Sequence, residues 1–172
     1  MEVQNLQSIT TRFDEHQDRF RLDALLKGSS TVSFWLTQRL LIRMIKHCLG
    51  TLKKQTGEIF NSQQDHQTNR APPKFTKEVK RDLRHEEAVF IEDVTPNFLI
   101  QEVDISSGSA GVVLIFKEPN CSYSLALSHN QLRQWLQIVY DLWVRAEWQV
   151  SIWPSWITQV DSMASGASIS IH

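Results

Sequence analysis

The sequence predicts an α+β fold: an internally duplicated β-β-β-α unit whose antiparallel sheet or sheets carry two packed helices, with a short linker helix between the copies. Three observations lead there. Short runs of alternating apolar and polar residues switch to a 3.6-residue period twice, at Thr37 and at Ser128. The residues around the two switches correspond position by position across an offset of 91 residues. The chain has 172 residues, 41% hydrophobic and 22% charged, enough to bury a single core without disulfides or metals.

Taken in order, residues 5–13 and 18–26 read as strands around the polar turn Asp14–Asp18, where Asp side chains bond the local backbone. After Lys27-Gly28-Ser29-Ser30, the run Thr31–Leu36 sets Val32, Phe34 and Leu36 on one face and Thr31, Ser33 and Trp35 on the other. Thr37 then caps a helix whose apolar stripe is Leu41, Met44, Ile45, Cys48 and Leu52, with Lys53 and Lys54 placed to favour its C-terminus. Gln, Asn, Thr and Ser dominate residues 55–73, which read as a flexible linker closed by Pro72-Pro73. Residues 74–90 read as the short linker helix, with Phe75, Val79 and Leu83 on one side.

The pattern then returns. Strands are predicted over Phe98–Ile105, Val112–Lys117 and Cys121–Leu127, with turns at Ser106–Ser109 and Glu118–Asn120. A helix starts at Ser128, where Ser128 and Gln131 fit a capping box, and runs to about Glu147. Its stripe Leu132, Trp135, Leu136, Val139 and Trp143 matches that of the first helix. Residues 1–160 are thus expected to form one domain of two repeats, about 5–54 and 97–148, joined by 55–92. The Ser/Gly-rich tail 161–172 is expected to be disordered.

The net charge of −1 gives no global pull toward polyanions, but it is divided: +4 over residues 1–54, −1 over 55–92 and −4 over 93–172. Cys48 and Cys121 stand far apart and form no metal or redox motif. His85-Glu86-Glu87 lacks a second histidine one turn on, where Val89 stands, and His16 lies in an acidic turn. There is no P-loop, no GxSxG and no GxGxxG, so no enzyme, metal or cofactor is expected. No apolar segment approaches the length of a membrane span, and Met1–Leu6 has no signal-peptide pattern. A cytoplasmic location is expected.

Two surfaces are candidates. Trp148, Trp153 and Trp156 surround Pro154 in a segment with no period. They could close over the core, or anchor a protein partner or a second copy in a homodimer, with Trp35 as a further contact. Arg39, Arg43 and Lys46, spaced i, i+4, i+7 opposite the Leu41/Ile45 stripe and followed by Lys53 and Lys54, form a basic helical face suited to nucleic acid. A protein-binding or assembly role is the first expectation, single-stranded nucleic-acid binding the second, and an enzyme whose site is assembled only in three dimensions the third.

The strand-to-helix hinges Thr31–Thr37 and Ser122–Ser128 resemble those of PUR and Whirly-type proteins, which duplicate a sheet-plus-helix unit of four strands where three are counted here. That resemblance implies single-stranded nucleic-acid binding and transfers no particular residue. The stretch Phe34–Leu41 is also similar to one in small bacterial proteins without assigned function.

Overall fold

The computed structural model of the chain describes residues 2–62, 89 and 95–158. Seven strands, β1 (Glu2–Asp14), β2 (Arg19–Leu26), β3 (Thr31–Leu36), β4 (Asn97–Leu99), β5 (Glu102–Gly108), β6 (Gly111–Lys117) and β7 (Cys121–Ser128), form one sheet in the order β4-β3-β2-β1-β7-β6-β5. Helix α1 (Gln38–Ser62) follows β3 and helix α2 (His129–Arg145) follows β7.

The sheet is mixed. β1 runs parallel to β7, pairing Glu2–Asn5 with Cys121–Ser124, and β3 runs parallel to β4; the other pairings are antiparallel. This overturns the expected antiparallel sheets of a duplicated β-β-β-α unit. The sheet is a single curled half-barrel. The second half opens with an extra strand, β4, that pairs with the first half rather than with its own. Period-two alternation reports which face a residue takes, not which strand lies beside it or in which direction.

The curl follows from chain length. β4 and β5 lie at opposite ends of the strand order, which in a flat sheet places them about 29 Å apart, six spacings of about 4.8 Å. Only Ile100 and Gln101 separate Leu99 from Glu102, a reach of about 11 Å at most. The sheet must therefore bend round until its ends meet. Its inner face closes on itself: the Phe34 ring of β3 stacks on Phe116 of β6 at 5.1 Å between centroids and 10° between planes, and Tyr123 of β7 lies 5.0 Å from Phe34 and 6.0 Å from Phe98 of β4.

The concave face carries Phe20, Leu22, Ala24, Val32, Phe34, Leu36, Val112, Leu114, Phe116, Leu125 and Leu127, all buried. The stripes of α1 and α2 complete this core: Leu41, Met44, Ile45, Cys48 and Leu52 from one, Leu132, Trp135, Leu136, Val139 and Trp143 from the other. α2 lies over β1, β7 and β6, and α1 against β5, where Thr51 Oγ1 meets Ser107 Oγ at 3.0 Å. At Gly111 the chain needs glycine. Its φ is +153°, and a β-carbon there would stand 2.0 Å from the Leu127 carbonyl oxygen.

Several boundaries differ from expectation. α1 continues to Ser62, through the first eight of the nineteen residues read as linker. Gln55 and Glu58 are good helix formers, and extending an existing helix costs little enough per residue to carry it through Thr56, Gly57 and Asn61, which are poor ones. The predicted strand Phe98–Ile105 is two strands, β4 and β5, broken where Ile100 turns into the core and donates its N–H to the Trp35 carbonyl at 3.0 Å. β5 also runs on to Gly108, so the turn falls later than Ser106. The Ser128–Gln131 capping box is present in both directions. The rest of the 55–73 linker, the linker helix over 74–90 apart from Val89, and the tail 161–172 lie outside the described residues. No described helix is long and apolar enough to cross a membrane.

Candidate basic face and the tryptophan segment

α1 owes its position to two features of its sequence. Thr37 accepts the Leu40 N–H at its N-terminus, at 3.3 Å, and the buried stripe fixes its rotation about its own axis. That rotation leaves Arg39, Arg43, Lys46, Lys53 and Lys54 all exposed on the side facing away from the sheet. The line from Arg39 to Lys54 is about 22 Å long. No Asp or Glu occurs from Gln38 to Gly57. Among the described residues none of these five cations makes an ion pair or a side-chain hydrogen bond; the ion pairs there belong to Arg12, Arg21 and Lys117. Arg39–Arg43 and Arg43–Lys46 are instead like-charge neighbours one turn apart, each costing the helix about 0.2–0.5 kcal/mol.

The tryptophan segment divides. Trp148 is 8% exposed. Its ring meets Trp143 edge-on at 4.8 Å and also contacts Phe13 and Phe20, and its Nε1 donates to Asp18 Oδ1 at 2.9 Å. Trp153 is 6% exposed, edge-on to Tyr140 and Trp143, with its Nε1 buried and without a hydrogen-bond partner among the described residues. Both belong to the core. Trp156 stays 37% exposed beyond the 3-10 turn Val150–Ile152.

This segment is aimed inward by the end of α2. Ala146 and Glu147 leave the helix with Glu147 at φ +56°. The Trp148 N–H reaches the Trp143 carbonyl at 3.3 Å and the Glu147 N–H reaches that of Val144 at 3.1 Å, a Schellman motif closed by the Trp143–Trp148 contact.

Trp35 lies on the convex face of the sheet, half-buried, with the Arg21 guanidinium 5.5 Å above its ring. Arg21 is one member of a polar cluster that sequence reading did not bring together. Asp23, 1% exposed, accepts from Arg21 Nε at 2.6 Å and from Ser33 Oγ at 2.9 Å, and pairs with Arg12 Nε at 3.4 Å. The signal lies in β2, where Arg21 and Asp23 alternate with Phe20, Leu22 and Ala24 and so share the convex face. Trp35 and the α1 cations therefore point to different sides of the molecule.

Among the described residues no group of His, Cys, Asp and Glu could hold a metal ion. Burial pushes the Cys48 thiol up to about 12, away from thiolate chemistry. Compared with known proteins, the chain matches no family model, no curated protein and no solved structure at a significant level.

Proposed function

We propose that the protein is a non-catalytic binding protein that holds single-stranded nucleic acid along the outer face of α1, through Arg39, Arg43 and Lys46 with Lys53 and Lys54. One observation carries this reading: an exposed helical face of five cations with no acidic residue among them and no partner among the described residues. A face that serves only solubility interleaves both signs, because that relieves like-charge repulsion along the helix. A phosphate backbone relieves the same repulsion from outside. The resemblance of the hinges to PUR and Whirly-type proteins points to the same ligand class.

The test is fluorescence anisotropy with a short labelled oligothymidylate, titrated between about 50 and 200 mM salt. Affinity should fall steeply with salt. Replacing Arg39, Arg43 and Lys46 together with Ala should make the log–log salt slope shallower by about 2, since each phosphate contact to a single strand contributes about 0.7. Unchanged binding by that variant would overturn the reading.

A protein-contact role is the second reading. Trp156, at 37% exposure, favours it, with Val150 exposed on the same short segment. Trp148 and Trp153 lend it no support, because both lie in the core. Light scattering coupled to size exclusion, with Trp156→Ala beside the wild type, tests self-association.

A further inference from the structure

The basic face of α1 has a gap at Gly50 that nothing among the described residues explains. Gly50 is helical and exposed, its φ is not in the left-handed region, and a β-carbon there would meet nothing within 4 Å. Neither backbone strain nor tight packing calls for glycine, and glycine weakens a helix interior relative to alanine. On a helix surface the neighbours of a residue are those three and four positions away. For Gly50 these are Lys46, His47, Lys53 and Lys54, all exposed. The four positions around the bare backbone are thus three lysines and a histidine.

We infer that Gly50 is the floor of a phosphate seat, a patch of side-chain-free helix on which a tetrahedral phosphate settles while Lys46, His47, Lys53 and Lys54 donate to its oxygens from the rim. The inference deepens the nucleic-acid reading above and rests on it for the source of the phosphate, a phosphodiester backbone. The seat itself would equally take a free phosphate. The helix N–H groups are engaged in the helix, so the donors are the side chains, and Gly50 acts by leaving room. This makes a sharp distinction between fold and ligand: a larger residue at position 50 helps the first and obstructs the second.

The experiment compares the full-length wild type with Gly50→Leu and Arg43→Ala, by melting temperature and by anisotropy with the same oligothymidylate. Gly50→Leu is expected to melt about 2 °C higher, because the helix gains a better former, and to bind roughly tenfold more weakly, the loss of one charge-assisted phosphate contact. If Gly50→Leu binds like the wild type while Arg43→Ala binds more weakly, the seat is overturned and the nucleic-acid reading stands. If the wild type does not bind the oligonucleotide, that reading falls, and titration with inorganic phosphate decides the seat. Amide shifts centred on residues 46–54 and abolished by Gly50→Leu sustain it as a site for free phosphate, and their absence overturns it.

Discussion

Glu147 occupies the position at which a helix closed by a Schellman motif usually carries glycine, and replacing it with glycine should stabilise the protein. Its φ of +56° places a side chain in the left-handed region, which costs a residue with a β-carbon about 1–2 kcal/mol. Glycine removes that cost but adds about 0.5–1 kcal/mol of backbone freedom to the unfolded chain. The difference leaves a gain of roughly 0.5–1 kcal/mol. Glu147 is exposed and makes no side-chain hydrogen bond or ion pair among the described residues, so little is lost with its carboxylate. For a chain of this length the gain corresponds to a rise in Tm of about 2–4 °C per kcal/mol. Urea unfolding followed by far-UV circular dichroism should show a higher midpoint with an unchanged m value. Glu147→Val, with a branched β-carbon in the same backbone conformation, should shift the midpoint the other way. A Glu147→Gly variant that is neutral or less stable would refute the reasoning, since the left-handed turn would then carry no strain for glycine to relieve.

Three further outcomes follow from the geometry. Gly111→Ala should cost about 2–4 kcal/mol in urea unfolding, because the added methyl meets the Leu127 carbonyl oxygen at 2.0 Å with φ at +153°. Trp148→Ala should cost about 3–5 kcal/mol as a core cavity, and Asp18→Ala only about 1 kcal/mol, since it removes one hydrogen bond and leaves the ring seated; equal losses would show that the bond, not the ring, holds the segment. Stability should also fall at high pH. The Cys48 thiol, raised by burial to about 12 from 9.0, stays protonated in the fold while the unfolded chain releases its proton, so its contribution is intact below about pH 9 and declines toward pH 12. The slope is about 1.4 kcal/mol per pH unit for this group, read from urea midpoints across that range, and Cys48→Ala should flatten it.

The parts of this fold that are legible in the sequence are those in which periodicity changes. Leu36-Thr37 and Leu127-Ser128 are sharp because alternation gives way to a helical stripe at a capping residue, and both stripes are buried as their spacing requires. Strand neighbours are not legible in this way. Nothing in Glu2–Asn5 specifies that it should lie parallel to Cys121–Ser124, because side-chain alternation carries no information about partner or direction. The break between β4 and β5 did leave a trace: Phe98 and Ile100 share one phase of alternation and Val103 and Ile105 the other, so the inward face shifts by one residue. For the candidate site, the exposure of Arg39, Arg43 and Lys46 follows from helical spacing alone, whereas the fate of the tryptophans does not. Trp148 and Trp153 sit in an aperiodic segment whose direction is set by one backbone dihedral at Glu147. The gathering of Arg12, Arg21 and Ser33 around Asp23 likewise depends on three strands meeting.

The parallel pairing of β1 with β7 has a consequence for how the protein is made. More than a hundred residues separate Asp14 from Cys121, so β1 leaves the ribosome well before the strand that completes its hydrogen bonding. At about 5–20 residues per second, that is roughly 5–20 s during which Glu2–Asn5, the stretch of β1 that β7 will pair, waits for its strand. A nascent chain in this state is an open template for pairing with other chains. Its yield in a cell should therefore depend more on translation rate and on chaperones that shield the first 60 or so residues than the stability of the finished molecule would indicate.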